Sequence, residues 1–265
     1  MRSTPLLQTR SSSLASVHLD REVKLEFILP PALHSSQEPV LLLINDGQNL
    51  EEMGLASMLE EHFSDFPLVC VGIHASPQRK MEYGVSGHPD YEGRGILAGA
   101  YHSFVLEELL PYITRVCCTD QFRYRAFAGF SLGALMALDI VWKHPGIFTR
   151  AGLFSGSFWW RSIDQTDAEY DDDKHRIMHQ VIRKGQYHPG LKFFFQCGNM
   201  DETLDRNNNG IIDSIDDTLD LIRELEAKGY QPGKDIHYLE MPDGRHDIPT
   251  WTRAMPVFLD WLRKE

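Results

Sequence analysis

The stretch Tyr124-Arg-Ala-Phe-Ala-Gly-Phe-Ser-Leu-Gly-Ala-Leu-Met-Ala-Leu138 places an apolar strand, a turn of small residues and an apolar helix directly one after another. Residues 129–133 fit the pattern Gly-x-Ser-x-Gly, which about one chain of this length in ten contains by chance. The strand–turn–helix setting makes the match more specific, because small residues let the backbone turn sharply and raise the Ser131 hydroxyl above the sheet. Ser131 is therefore a candidate nucleophile. The alternative is a serine that caps the helix between glycines that only pack.

Short apolar runs alternate with amphipathic runs on both sides of this stretch. Near-continuous apolar strands that alternate with helices indicate an α/β fold, with a mostly parallel central sheet and helices on both faces. Alternation in residues 17–29 predicts two antiparallel strands at the N-terminal edge. Residues 1–13 are expected to be flexible, and residues 14–265 to form a single domain. The other predicted elements are strands 40–44, 68–73, 124–130, 148–154, 191–196 and 236–241, and helices 51–63, 95–116, 131–142, 174–184, 215–228 and 251–263.

Composition narrows the class of protein. The chain has 265 residues, 42% of them hydrophobic and 24% charged, which is ordinary globular usage. Twenty-six Lys and Arg against 38 Asp and Glu give a net charge of −12, so nucleic acid and anionic membranes are not expected as partners. No apolar run approaches the roughly 18 residues of a membrane span. No secretory leader is visible, so a cytoplasmic location is expected unless the sequence begins after a removed leader. The four cysteines form no Cys-x-x-Cys pair and are interpreted as structural, which favours a reducing compartment.

A nucleophilic serine needs a base and an acid that orients it, and in one arrangement these follow in the chain order serine, acid, histidine. His246 follows the last predicted strand and precedes the last predicted helix, so it is the candidate base. The acid is expected after strand 191–196. Asp201 is the first choice there and Glu202 the alternative, because spacing does not decide between neighbours.

Backbone amides are the expected donors to a developing oxyanion. The amide of Leu132 directly follows the candidate nucleophile, at the start of a helix. The second donor is expected in the turn after strand 40–44, where Gln48 is the first choice and Gly47 the alternative.

A second motif lies in residues 205–216. Oxygen-bearing side chains occupy positions 1, 3, 5, 9 and 12 of a twelve-residue loop with glycine at position 6, which is the spacing of a calcium loop. Asp at position 12 is shorter than the usual Glu, so the affinity is expected to be modest. The alternative is a turn rich in Asn and Gly whose acidic residues start a helix. A bound Ca²⁺ would have a structural role beside Asp201, and no catalytic cofactor is expected. The candidate ligands are Asp205, Asn207, Asn209, Ile211, Asp213 and Asp216.

Residues on the substrate side are less sharply defined. Trp159 and Trp160 follow a predicted strand and are candidate walls for an acyl or sugar group, although consecutive aromatic residues there are more often core or lid. Tyr83 lies in the long loop 75–93, and Arg94 directly follows it. They are candidate substrate contacts, with a salt bridge that shapes the loop as the alternative.

With these residues in place, the chain resembles the esterase family of α/β-hydrolases that includes enterochelin esterase catalytic domains, esterase D, and feruloyl and acetylxylan esterases. The resemblance runs from about residue 17 to the C-terminus. It implies an α/β-hydrolase fold and hydrolysis of esters by a Ser-His-acid mechanism without a catalytic metal. The segments that carry it are Asn45-Asp-Gly-Gln-Asn49, Glu82-Tyr-Gly84, Gly93-Arg-Gly95, Gly129-Phe-Ser-Leu-Gly133, Ser155-Gly-Ser-Phe-Trp-Trp160 and Gly244-Arg-His-Asp247.

The residues and the resemblance together predict a serine carboxylic-ester hydrolase that forms an acyl-enzyme on Ser131. The expected substrate is a small-molecule or carbohydrate-linked ester. Two alternatives use the same scaffold: an acyltransferase, in which an alcohol replaces water, and a ligand-binding protein without turnover. The sequence does not specify the acyl or the alcohol part of the substrate.

Overall fold

The computed structural model describes residues 7–30 and 38–264. Eight strands form one sheet in the order β1-β2-β4-β3-β5-β6-β7-β8. The predicted α/β class is confirmed. The strands are β1 Gln8–Ser16, β2 Arg21–Leu29, β3 Val40–Asn45, β4 Leu68–Ile73, β5 Arg125–Phe130, β6 Arg150–Phe154, β7 Lys192–Met200 and β8 Ile236–Arg245.

Six strands, β3 to β8, pair in parallel, while β1 with β2 and β2 with β4 are antiparallel. Every residue of β3 and β4 is buried, as expected for strands covered on both faces. Parallel pairing brings the carboxyl ends of β3 to β8 to one edge of the sheet, so residues that follow these strands meet there.

The N-terminal hairpin begins earlier than predicted. Only one strand, β2, lies within residues 17–29, and its partner β1 starts at Gln8. Ser12 pairs with Leu25, so residues 8–13, which the sequence predicted to be a flexible end, belong to the sheet. Most side chains of β1 are polar and exposed, which is why its sequence reads as a frayed end. Residues 1–6 lie outside the described residues.

Helices cover both faces of the sheet. One apolar core joins the helices of residues 98–117 and 132–143 to one face, and a second joins the helices of residues 55–62 and 248–263 to the other. Within the described residues no helix combines the length and hydropathy needed to cross a membrane. The helices are α1 Leu55–His62, α2 Arg79–Glu82, α3 Ala98–Ser103, α4 Leu110–Cys117, α5 Leu132–Lys143, α6 Asp172–His175, α7 Ile177–Lys184, α8 Asp213–Lys228 and α9 Ile248–Arg263.

Local features explain three of the boundaries that differ from the sequence prediction. The helix predicted over residues 95–116 is divided, because Pro111 has no N–H to continue the α-helical ladder and residues Phe104–Leu109 form a π-helical segment. The helix predicted from residue 51 starts after Gly54, which has a φ of 62°. The last helix starts at Ile248, three residues early, because the Asp247 carboxylate accepts the Thr250 amide at 2.9 Å.

Candidate active site

Ser131 lies in a sharp turn between β5, which ends at Phe130, and α5, which begins at Leu132. Its φ of 56° and ψ of −121° are a strained combination for a residue with a side chain. The Ser131 amide donates to the Phe154 carbonyl at 2.9 Å, which fixes the turn to β6. We call residues 129–133 the elbow. Its glycines are required by close packing, since a Cβ on Gly129 would overlap the backbone of Gly133.

The Ser131 hydroxyl faces a serine that the sequence reasoning did not select. Ser157 Oγ lies 3.3 Å from Ser131 Oγ, and the Ser157 amide donates to the Ser131 carbonyl at 3.2 Å. Leu132 begins α5, and amides in the first turn of a helix have no acceptor within that helix. The elbow therefore offers a hydroxyl and a helix N-terminus at the same point.

The turn after β3 packs directly on the elbow. The Asn45 side-chain amide donates to the Gly133 carbonyl at 2.8 Å, and a Cβ on Gly133 would lie 2.8 Å from Asp46 Oδ2. Gly47 is buried against the backbone of β4, whereas Gln48 is exposed and its side-chain oxygen accepts the Ala75 amide at 3.0 Å. Residues 46–48 thus lie next to the start of α5, with Gln48 at the open surface.

Arg79, another residue that the sequence reasoning missed, joins this turn to the elbow. Its Nε and Nη2 donate to the two carboxylate oxygens of Asp46, each at 2.7 Å, and Nη2 also donates to the Phe130 carbonyl at 3.2 Å. Asp46 is buried, and Arg79 is partly exposed. No sequence motif links residues 46, 79 and 130, because the three lie on separate segments.

Asp201 and His246 leave adjacent strands side by side. Met200 of β7 pairs with Arg245 of β8, after a register shift between Gly198 and Met200. Because of this shift β8 continues four residues beyond its predicted end at Met241, and Arg245 comes to lie beside Met200. The next residue on each strand, Asp201 and His246, therefore emerges at the same edge as the elbow.

The Asp201 carboxylate is bound to the backbone through one oxygen. Oδ2 accepts the Gly198 amide at 3.2 Å, whereas Oδ1 is buried and has no hydrogen-bond partner among the described residues. Burial raises the pKa of Asp201, while contacts with Ser155 and the Gly198 amide, together with the nearby His246, oppose that rise. A free buried carboxylate oxygen is an acceptor available to an imidazole N–H.

His246 rests against an aromatic support. Its ring packs edge-on against Trp251, with centroids 5.4 Å apart, and Trp251 stacks on Phe130 at 5.0 Å and donates from Nε1 to Ser155 Oγ at 3.0 Å. Loss of solvation lowers the pKa of His246, the charge of Asp201 raises it, and the charge of Arg79 lowers it. Among the residues that the structure describes, His246 has no hydrogen bond to Ser131 or Asp201. Such bonds are often long before substrate binds.

Glu202, the alternative acid, interacts with a different part of the molecule. Burial raises its pKa, and its other interactions are with Ser214, Asp213 and Asp217 on α8. Among the two neighbouring carboxylates, only Asp201 interacts with His246.

Tyr83, a candidate substrate contact, and Trp160, a candidate substrate wall, do not lie at the surface. Both are fully buried. Tyr83 packs edge-on against Tyr101, with centroids 5.2 Å apart, and the Trp160 indole donates to the His88 carbonyl at 3.1 Å. A side chain without exposed surface does not contact substrate, so these two residues support the loop from beneath.

Arg94 and Trp159 remain partly exposed. Arg94 Nε donates to Asp90 Oδ2 at 2.6 Å, and its guanidinium lies 5.0 Å from the Trp159 ring centroid. Arg94 therefore forms the salt bridge that was the alternative to a substrate contact. Trp159 keeps part of its ring at the surface.

The candidate calcium loop is closed by its own hydrogen bonds. Asn207 and Asn209 donate to Asp216 Oδ2 at 2.9 and 2.8 Å, and Asp205 accepts the Gly210 amide at 2.9 Å. Asp213 instead accepts the Arg206 amide at 2.8 Å. Among the described residues, no three His, Cys, Asp or Glu side chains are grouped to hold a metal ion.

Residues 16–262 match the protein family described as "Putative esterase". The chain belongs to this esterase family. It is a carboxylic ester hydrolase of the α/β-hydrolase type, as the resemblance predicted. The comparison with curated proteins found no match.

Solved structures of related fold agree with this assignment. A ferulic acid esterase is 18% identical, with 98% of each chain covered and a TM-score of 0.70. An IroE-like serine hydrolase from Shewanella oneidensis is 19% identical, with 97% of this chain and 80% of the other covered and a TM-score of 0.73. The enterobactin esterase FES from Shigella flexneri is 18% identical, with 95% of this chain and 57% of the other covered and a TM-score of 0.68. At these identities the likeness establishes the fold.

Proposed function

We propose that this enzyme cleaves esters through an acyl-enzyme on Ser131, with His246 as general base and Asp201 as the residue that orients it. The pairing of Met200 with Arg245 carries the proposal, since it makes Asp201 and His246 neighbours at the sheet edge that also holds the elbow. The free Oδ1 of Asp201 and the interaction of Asp201 with His246 favour Asp201 over Glu202 as the acid.

The chemistry follows from these groups. Ser131 Oγ attacks the ester carbonyl carbon while His246 takes its proton, and the carbonyl oxygen becomes an oxyanion. The amides of Leu132 and of Gln48 or Gly47 bind that oxyanion. When the intermediate collapses, the C–O bond to the alcohol breaks and His246 returns the proton to the departing oxygen. Water, activated by His246, then releases the acid and restores Ser131.

A cleft beside the turn after β3 offers space for part of the substrate. It has a volume of about 420 Å³ and is lined by Gly47 and Gln48, and also by polar residues such as Arg10, Glu26 and His74. Structurally similar proteins include a ferulic acid esterase and siderophore hydrolases from Aspergillus nidulans. We propose a small-molecule or carbohydrate-linked ester as substrate, with one part of it in this cleft.

A panel of aryl esters from acetate to ferulate tests the proposal. Wild-type enzyme is expected to release the carboxylic acid, and Ser131→Ala and His246→Ala to lose turnover while remaining folded. Substantial turnover by Ser131→Ala would contradict the assignment. Transfer of the acyl group to an added alcohol in preference to water would indicate an acyltransferase, and absence of turnover on every ester would favour a binding protein.

The calcium loop at residues 205–216 stays a prediction. The side chains of Asn207 and Asn209 already face Asp216, so three of the six candidate positions point to one place. If Ca²⁺ binds, Asp213 must turn from Arg206, and 1 mM Ca²⁺ is expected to raise the melting temperature of wild type but not of Asp216→Asn. Thermal unfolding with Ca²⁺, with Mg²⁺ and with chelator measures this. Equal melting temperatures in all three would exclude the site.

A further inference from the structure

We infer that Arg79 is a positioning residue for the oxyanion site. It holds the turn after β3, which carries one of the oxyanion amides, in a fixed position against the elbow. This inference rests on the proposed function, because it concerns the amides assigned there to the oxyanion. Arg79 itself lies on α2, a short helix in the loop that follows β4, and it belongs to neither turn.

One guanidinium reaches both turns. Its Nε and Nη2 bind Asp46 Oδ1 and Oδ2 at 2.7 Å each, in the bidentate geometry that fixes orientation as well as distance. The same Nη2 binds the Phe130 carbonyl at 3.2 Å, one residue before Ser131. Asp46 is the residue before Gly47 and Gln48, so the two segments that carry the oxyanion amides meet at a single side chain.

The need for such a link follows from the backbone on each side. Asp46 has a φ of 59° and Ser131 a φ of 56°, so both turns hold residues with side chains in the left-handed region. Such conformations persist only where the surrounding contacts impose them. The Asn45 amide on Gly133 provides a second link, but it binds α5 rather than the residue before Ser131.

Arg79 also acts electrostatically on the base. The charged groups that act on His246 are Asp201, Asp247 and Arg79, and of these only Arg79 is positive. Removing that charge is expected to raise the pKa of His246, and the acidic limb of the kcat/KM profile then moves to higher pH. The positioning role and the charge can therefore be separated by substitution.

Two substitutions make this separation. Arg79→Lys keeps the positive charge but cannot bind both oxygens of Asp46 and Phe130 together. It is expected to lower kcat by about 10- to 100-fold with KM within about 3-fold, and to leave the acidic limb in place, because small displacements of catalytic groups reduce rate strongly. Arg79→Gln is expected to lower kcat similarly and to move the limb to higher pH.

Arg21→Lys is the matched control. Arg21 binds Glu82 of the same helix α2 with two hydrogen bonds of 2.7 Å, and touches neither turn. If Arg79 acts only by stabilising α2, both lysine variants lose kcat equally, which overturns the inference. A loss of kcat in Arg79→Lys, together with near wild-type kcat in Arg21→Lys, supports the positioning role of Arg79.

The remaining outcomes are also decisive. Wild-type kcat in Arg79→Lys, with Ser131→Ala inactive, overturns the inference alone, whereas full activity in Ser131→Ala overturns the proposed function. If the Arg79 variants do not fold, Asp46→Asn replaces them, because it removes the ion pair while keeping the side-chain shape. It is expected to show the same loss of kcat, and wild-type kcat in that variant would count against the inference.

Discussion

Asp201 and Glu202 are adjacent in sequence, but their carboxylates interact with different elements. Asp201 accepts the Gly198 amide and lies next to His246, whereas Glu202 interacts with the start of α8. Successive side chains of an extended segment point in opposite directions, which accounts for the difference. The sequence placed both candidates correctly after β7 but gave no basis for choosing, because the choice depends on which side of β7 carries β8.

Asp201→Asn is expected to lower kcat by roughly 10²- to 10⁴-fold, because an amide no longer holds the His246 tautomer that accepts the serine proton. Glu202→Gln, the matched control, is expected to change kcat little. Steady-state kinetics of the two variants measure this. Equal losses, or a larger loss in Glu202→Gln, would exclude Asp201 as the orienting acid.

Asp201→Asn is also expected to change the pH dependence of kcat/KM. His246 must be neutral to accept a proton, and burial lowers its pKa. The acidic limb of the wild-type profile, where kcat/KM falls as His246 becomes protonated, is therefore expected below pH 6.5. The negative charge of Asp201 raises that pKa, hence the limb of Asp201→Asn is expected at lower pH than in wild type. A limb displaced to higher pH would contradict the interaction.

At the scale of elements, the elbow depends on contact between two glycines on either side of Ser131, Gly129 at the end of β5 and Gly133 at the start of α5. A Cβ on Gly129 would overlap the Gly133 backbone, so Gly129→Ala is expected to lower the free energy of unfolding by about 1–3 kcal/mol and to reduce kcat. Gly146→Ala is the control, since nothing lies within 4 Å of its Cβ, and a change within about 0.5 kcal/mol is expected. Urea unfolding compares them. A Gly129→Ala variant as stable as Gly146→Ala would refute this packing.

A second element contact predicts acid sensitivity. His179 of α7 is buried, its Nε2 lies 2.9 Å from the Asp217 carbonyl of α8, and burial lowers its pKa to about 3. Below about pH 6.5 His179 is protonated in the unfolded chain but stays neutral in the folded chain. The free energy of unfolding therefore falls as the pH decreases, by about 1.4 kcal/mol per pH unit from this residue.

His179→Gln tests that slope. Between pH 7 and pH 5 the free energy of unfolding of this variant is expected to fall less steeply than that of wild type. His62→Gln, at an exposed position, is the matched surface control for the substitution. Parallel pH dependence in His179→Gln would show that His179 protonates in the folded state.

Sequence patterns predicted the elements better than their ends. The apolar runs of β3, β4 and β5 and the helix α5 are found within one residue of their predicted bounds, because continuous apolar runs between turn residues mark buried parallel strands and a buried helix clearly. The extension of β8 beyond Met241 was missed, since it depends on a register shift with β7. Such shifts are tertiary features, and the residues concerned, Pro242 to Arg245, are typical of a turn.

For the whole molecule, topology decides which distant residues meet. The pattern of alternating strands and helices predicted a parallel sheet, and therefore a single edge where Ser131, Asp201 and His246 emerge. It did not predict Arg79, because a residue of a short helix within a loop acquires its partners only from the folded arrangement of β3 and β5. Nor did it predict that Tyr83 of the long loop is buried, and for Trp160 it left a buried position as the alternative to a substrate wall.

Covalent trapping decides whether Ser131 is the nucleophile. A fluorophosphonate is added to wild type and to Ser131→Ala and His246→Ala, and peptide mass spectrometry locates the adduct. One adduct is expected, on Ser131, that is absent from Ser131→Ala and forms far more slowly in His246→Ala. An adduct on another residue, or labelling of His246→Ala at the wild-type rate, would contradict it.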